Sequence, residues 1–384
     1  MSAPERADVL VIGAGIAGAS LAYALSEAAT VIVVERESQP GVHSTGRSAA
    51  LFMESYGPPQ VRALTRASRA FLEHPPMGFC ERPILSPRGA MLVATESQLD
   101  DLEEHWAVLR TISAAARRLD RQAACELVPV LRPERVAAAV HEPDAADIDV
   151  DVLHQGYLRG LRRHGGRVHC NAEVRSLERR DGVWRVAAGD GAFEARIVVN
   201  AAGAWCDEIA RLAGAAPIGL VPKRRSAFVF DPPADRASGG WPLFGAIDET
   251  WYVKPDAGQL LGSPANADPV AAHDVQPEAL DIAIAIDRIQ AMTALTIARP
   301  RRTWAGLRSF VADGELVGGF DAHCEGFFWL AGQGGYGIQT SAAMGAACAA
   351  IVEGRPVPAR LAGFGIDAAG LSPARSSLVV TARP

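Results

Sequence analysis

Gly13, Gly15 and Gly18 form a G-x-G-x-x-G run, and an acid, Glu35, follows 22 residues beyond Gly13. That pattern suits the binding of a dinucleotide. Gly13 permits a tight turn, Gly15 lets the backbone approach a pyrophosphate, and Gly18 lets a helix lie close to a strand. Ala14, Ile16 and Ala17 fill the run with residues that leave the helix start free. The helix start presents unbonded N–H groups and a partial positive charge to the phosphates. Glu35, followed by Arg36, can accept both hydroxyls of an adenosine ribose and would repel a 2′-phosphate. A second glycine-rich helix start, Gly334-Gly335-Tyr336-Gly337-Ile338-Gln339-Thr340, follows roughly 320 residues later. A nicotinamide-binding domain has no place for it. A flavin has one, because a helix N-terminus can face the O2 edge where negative charge gathers on reduction. Ser44-Thr45-Gly46-Arg47-Ser48-Ala49-Ala50 suits a chain returning to the pyrophosphate and flavin. Together these features point to FAD. The bland alternative for each is a glycine turn kept for packing.

The elements that must position these residues are readable. Asp8 to Ile12 is a short, continuous apolar run, as expected of a buried parallel strand. Ala19 to Ser26 has helical composition, and Thr30 to Val34 is a second strand ending at Glu35. Asp149 to Arg163 reads as a helix with an Asp start and an apolar stripe. Arg167 to Asn171, Val174 to Glu178 and Val183 to Ala187 read as strands. Ala195 to Trp205 is a strand ending on small residues, with a strand-to-helix turn as the plain alternative for Asn200 to Gly203. From Val221 to Arg308 the pattern alternates between strands and turns, with a hairpin at Pro255-Asp256-Ala257-Gly258. Glu278 to Leu295 reads as an amphipathic helix.

Composition bounds the rest. The chain has 384 residues, 38 Lys+Arg against 44 Asp+Glu, a formal charge of −6, and 49% apolar residues. This is an ordinary globular balance that excludes disorder, collagen and coiled coil. No basic stripe is available for nucleic acid. The six cysteines include no C-x-x-C pair, and Met1 to Ala7 is too short and polar for a signal peptide. The expectation is reduced thiols in a cytoplasmic protein. No run approaches the ~18 apolar residues of a membrane span. No metal-ligand cluster, catalytic triad or paired carboxylate stands out, so no metal is expected.

Several stretches resemble those of the D-amino-acid oxidase-like flavoproteins: Val11 to Ser20, Ser44 to Ala50, His154 to Gly160, Asn200 to Asp207, Pro222 to Phe228, Thr303 to Asp313 and Gln333 to Met344. The similarity runs from about Asp8 to about Pro373. It is strongest to the bacterial D-amino-acid dehydrogenases of the catabolic D-arginine type. It implies an α/β fold with non-covalent FAD: a Rossmann-like FAD-binding domain interleaved with a mainly antiparallel substrate domain. The boundaries expected are 1–75, 145–215 and 305–384 for the first, and 76–144 and 216–304 for the second. Cofactor contacts are implied for the residues above and for Val174, whose backbone would touch adenine, and Ala202, Gly203 and Trp205.

The same resemblance makes Arg308 a clamp for the substrate carboxylate, a role that suits the planar guanidinium fork. Tyr252 becomes a second carboxylate donor, Arg225 a substrate-site arginine and Tyr56 an aromatic lid. The Gly335 carbonyl would accept a bond from the amine, Gln339 would line the far wall, and Leu243 and Gly245 complete the expected site. No dedicated catalytic base is needed if hydride passes from Cα to flavin N5. The implied reaction is oxidative deamination of a D-amino acid to a 2-oxo acid and ammonia, with a quinone or similar acceptor rather than O2.

The departures concern the side-chain pocket. Where D-arginine-type enzymes carry an acid and a histidine, this chain has Ala90 and Leu51, and Met53 replaces a small polar residue. A buried guanidinium without a partner costs several kcal/mol. Neutral, hydrophobic D-amino acids are therefore expected over D-Arg and D-Lys, with Glu54 as the one residue that could rescue a basic substrate. Two other classes stay open: an oxidase of secondary amines or N-substituted amino acids, and a non-catalytic FAD protein of electron transfer or assembly.

Overall fold

The computed structural model describes residues 3–378; Met1, Ser2 and the outermost ends of the expected N- and C-terminal segments lie outside them. Strict alternation along two short apolar runs organises the first layer. In strands Glu5–Ile12 and Val31–Val34, Val9, Val11, Val31 and Val33 point to one face and pack with Leu21, Ala343, Met344 and Ala347. Leu10, Ile12, Ile32 and Val34 point to the other and pack with Trp184, Val186, Phe193 and Trp329. Both faces are covered, as a parallel sheet requires. Helices Ile16–Leu25 and Gly337–Val352 cover the first face. The antiparallel strands Val174–Arg180 and Val183–Ala188 extend the sheet beyond Gly191–Asn200.

This sheet has eight strands. Gly191–Asn200, Glu5–Ile12, Val31–Val34 and Arg167–His169 run parallel in that order, and Phe327–Ala331 joins parallel to Gly191–Asn200. The two covering helices approach closely because they are built of small residues: a Cβ on Gly345 would lie 2.9 Å from the Ser20 backbone. Helix Val150–Arg163 starts as expected, with the Asp149 carboxylate accepting from the Val152 N–H at 2.9 Å.

A second sheet has nine strands. Its pairings are antiparallel except for Leu243–Ala246 against Ala90–Ala94. The hairpin Tyr252–Asp256 to Gln259–Ser263 turns at Ala257 and Gly258, whose φ values of 47° and 80° match the left-handed conformations of a two-residue hairpin turn. Strand Val221–Phe230 pairs with Arg302–Phe310, placing Lys223 opposite Arg308 and Arg225 opposite Gly306. Arg225 and Arg308 are therefore diagonal neighbours on one face. The α/β architecture with a largely antiparallel second sheet is the one the sequence implied. All six cysteines are free thiols, and no helix of the described residues is long and apolar enough to cross a membrane.

One buried acid ties this second sheet to the segment at Glu54 and Ser55. Glu142, 2% exposed, accepts hydrogen bonds from the Ser55 hydroxyl and the Glu54 N–H. Burial raises its pKa against the opposing effect of those bonds, and the Glu54 charge adds to the rise. A raised carboxyl pKa stabilises the fold below the unfolded value, and that contribution is lost as pH climbs through the folded value. Glu142→Gln should therefore gain in Tm relative to the parent as pH goes from 5 to 8. A constant Tm difference across that range would contradict this.

Candidate active site

The nucleotide motif folds as its spacing requires. Gly13 has φ +102°, and a Cβ there would lie 2.5 Å from the Ala201 carbonyl oxygen. On Gly18 a Cβ would come within 1.9 Å of the Gly13 carbonyl oxygen, so this residue brings the helix onto the strand. Gly15 differs. A Cβ there meets only the Thr45 hydroxyl, at 3.3 Å, and the backbone faces open space. That space is a cavity of about 290 Å³ bordered by Gly13, Gly15, Ile16, Ala17, Glu35, Arg36, Ser44, Thr45, Val174, Ala202, Gly203, Trp205 and Gly334.

Glu35 is buried, and each of its oxygens accepts one backbone N–H, from Ala14 at 2.8 Å and Glu37 at 3.0 Å. Each oxygen keeps a lone pair for a ribose hydroxyl. Arg36 lies over the Trp205 ring at 4.7 Å, and His43 packs on its indole at 4.8 Å. The cradle fits an adenine dinucleotide, with a backbone floor bare of side chains under the pyrophosphate and a carboxylate at the ribose.

The trough continues through a narrow cavity of about 90 Å³, bordered by Arg47, Ser48, Ala49, Gly335, Gly337 and Ile338, into a third of about 440 Å³. Arg308, Arg225, Tyr252, Tyr56, Leu51, Met53, Leu243, Gly335 and Gln339 all border the last, with Ala50 and Tyr336. Here the electrostatics are unbalanced. Arg308 Nη1 donates to the Tyr56 hydroxyl at 3.3 Å, while Arg225 Nε is buried with no partner. Neither guanidinium forms an ion pair among the described residues. Burial and the neighbouring Arg308 charge push the Arg225 pKa down. Two guanidiniums on one face, short of acceptors, suit an incoming carboxylate. Gly335 leaves Arg308 its room, since a Cβ there would lie 2.7 Å from Nη1. The Tyr56 ring packs edge-on to Tyr336 at 5.1 Å.

Some expected residues sit elsewhere. Ala14 and Gly18 face the core, and Thr340 is buried with its hydroxyl on the Tyr336 carbonyl. Arg47 turns its guanidinium onto Asp274 and the Val275 and Ala305 carbonyls, so it stitches the loop to the second sheet. Ala90, 1% exposed, packs behind the wall with Met53 and Ala145, and Leu92 of the same strand lines the cavity instead. Gly245 is also behind the wall, where a Cβ would meet the Trp251 carbonyl oxygen at 2.5 Å. Glu54 is taken by Arg69 at 2.8 Å and does not line the cavity, so it is not free for a basic substrate. The Gln339 amide is engaged by the Met53 N–H and by Thr65, which fixes the wall.

Other functional positions were not foreseen. His154 Nε2 bonds the Ala14 carbonyl at 2.8 Å and braces the glycine turn. His154 opens one of the family-like stretches and lies one turn into an Asp-capped helix, but neither feature showed what its ring would bond. Arg62, His105, Val108, Glu249 and Trp251 line the 440 Å³ cavity, from segments carrying no recognisable motif. No group of metal-ligating side chains occurs among the described residues.

Comparison with known proteins matches residues 8–351 to the family of FAD dependent oxidoreductases named DAO. The chain belongs to that family. The FAD-dependent oxidoreductase is similar to rat mitochondrial dimethylglycine dehydrogenase, 26% identical over 68% of this chain and 31% of that protein. It thus spans about a third of the length of that relative. Glycine oxidase of Geobacillus kaustophilus is 23% identical over 94% of this chain and 97% of its own. The crystal structure of that species' glycine oxidase superposes with a TM-score of 0.82 at 22% identity over 94% and 98% of the two chains. Iminodiacetate oxidase from Chelativorans sp. BNC1 gives a TM-score of 0.78 at 25% identity over 93% and 98%. The family and the cradle agree on FAD.

Two alanine substitutions separate packing from cofactor binding. Gly18→Ala must displace backbone and should cost about 3 kcal/mol of stability, read as a lower Tm in the apoprotein. Gly15→Ala should leave the apoprotein Tm nearly unchanged while weakening FAD binding about tenfold, some 1.4 kcal/mol. Equal effects of both on apoprotein Tm would contradict this assignment.

Proposed function

We propose that the protein is an FAD-dependent D-amino-acid dehydrogenase that deaminates its substrate oxidatively to a 2-oxo acid and ammonia. The observation carrying this reading is the pair Arg225 and Arg308, short of counter-charge in a cavity that opens onto the cofactor trough. When bound, FAD supplies the acceptor for the hydride leaving Cα. Arg308 and Tyr252 hold the carboxylate and so fix which face of Cα is presented. The Gly335 carbonyl is the acceptor at hand for the amine. The imino acid then takes up water and releases ammonia.

The cavity wall supports an aliphatic substrate stem. Leu51, Met53, Leu92, Leu243 and Trp251 line it, and the only carboxylate on it among the described residues, Glu249, is exposed and acts on Arg225. D-Arg and D-Lys find no buried acid, which disfavours them. Ala90, packed behind this wall, does not shape the preference. D-stereochemistry and a quinone-type acceptor are inferred from the family resemblance. A second reading, oxidation of N-substituted amino acids, is favoured by the similarity to dimethylglycine dehydrogenase and iminodiacetate oxidase.

Removing one of a set of groups that seat a buried charge costs about 2–5 kcal/mol. Arg308→Met should therefore lower kcat/KM by roughly 10²–10³-fold while keeping the flavin absorbance of the holoprotein. Arg225→Met should lose less. Parent kinetics in Arg308→Met would contradict the assignment.

A further inference from the structure

The substrate cavity holds a second place short of negative charge. His105, on helix Leu99–Ile112, has its Nε2 buried with no partner. Arg62, in the first turn of helix Pro59–Glu73, donates Nη1 to the Gly57 carbonyl at 2.5 Å. It has no carboxylate partner among the described residues. Both side chains border the 440 Å³ cavity, and the Arg62 charge reaches the His105 ring, whose pKa burial and that charge together depress. Arg225, Arg308 and Tyr252 also border the narrow passage toward the cofactor, whereas Arg62 and His105 do not. Of the two pairs, only Arg225 and Arg308 thus border the mouth toward the cofactor, and Leu92, Val108 and Trp251 line the same cavity.

A neutral imidazole can carry its proton on Nε2 and donate it. A guanidinium beside it supplies charge and further donors. An all-apolar side chain would leave both unanswered, at the cost of a buried polar group without a bond.

We propose that Arg62 and His105 form a second anion subsite, which receives a carboxylate at the far end of the substrate side chain. The preferred substrate is then a dicarboxylic amino acid: one carboxylate on Arg308 and Arg225, an aliphatic stem along the apolar wall, and the second carboxylate on Arg62 and His105. The inference rests on the reading of the site as one for amino acids and narrows its side-chain class.

The test uses the FAD-loaded full chain and isosteric pairs. Flavin reduction by D-glutamate and D-2-aminoadipate is compared with that by their side-chain amides. The better dicarboxylate should exceed its amide at least tenfold in kcat/KM. Arg62→Gln and His105→Leu should each bring that ratio towards one through KM, with Arg62→Lys retaining part of it. A ratio near one in the parent, or one unmoved by both variants, would overturn the proposal. Binding gives an arm independent of turnover. Glutarate should perturb the flavin spectrum at a concentration at least tenfold lower than its monoamide does, and Arg62→Gln should remove that difference; equal binding would overturn the subsite. If no amino acid reduces the flavin, the deamination reading fails, and the binding arm alone decides the subsite.

Discussion

Strand Arg302–Phe310 is the joint on which the site depends. It belongs to the substrate sheet through its long antiparallel pairing with Val221–Phe230. Yet the Gly334 N–H, from the cofactor half, donates to its Ser309 carbonyl at 2.9 Å. Further along the same edge the loop after Glu35 clasps it: the Ser44 hydroxyl bonds the Leu307 carbonyl, Arg47 reaches the Ala305 carbonyl, and Trp304 Nε1 donates to the Arg47 carbonyl. Arg308 is thus held from both halves, between the glycine turn that faces the flavin and the loop that faces the pyrophosphate. A clamp fixed in this way can position Cα of a substrate relative to the cofactor.

The same joint explains an unusual electrostatic arrangement. Arginines elsewhere that are withdrawn from solvent are answered by carboxylates among the described residues: Arg375 by Asp313, Arg224 by Asp281, Arg88 by Asp147. Arg225, Arg308 and Arg62 are not, and all three border one cavity. Unanswered buried charge is costly, so its concentration on one cavity is a mark of a ligand that completes it. Lys223 and Arg225 alternate with Arg224 along a strand, which sends the two kinds of arginine to opposite faces. Arg224 meets Asp281 on the helix side and Arg225 meets the cavity.

Much of this was legible in the sequence where the constraint is local. Gly13, Gly15, Gly18 and Glu35 lie within one strand-helix-strand unit, so their spacing alone places them. The strands Val9 to Ile12 and Val31 to Val34 were readable because burial on both faces leaves an uninterrupted apolar run. The Gly334 to Thr340 segment was readable for the same local reason. What was not legible depends on register between distant segments. Ala90 and Leu92 point to the same face of one strand, and which of them reaches the cavity is set by where the strand lies against Met53 and Ala145, after pairing with Leu243–Ala246 and Ala138–Glu142. Period-2 alternation fixes their shared face but not which of them the neighbouring segments cover. Arg62, His105 and His154 lie on helices whose amphipathic patterns show a buried side but not what it is buried against. Arg47 was expected at the cofactor because its neighbours are there; only the tertiary position of Asp274 reveals where its guanidinium goes.

The account stands on a carboxylate being seated by Arg308 and Arg225 before oxidation at Cα. The most direct measurement is anaerobic mixing of the FAD-loaded protein with D- and L-amino acids and with the corresponding amino-acid carboxamides, following the flavin absorbance. The account predicts rapid bleaching by D-amino acids with non-cationic side chains, and bleaching at least a hundredfold slower by their L-forms and by the D-carboxamides, which lack the charge that the arginines are placed to hold. Equal bleaching by a D-amino acid and its carboxamide, or none by any amino acid, would contradict it.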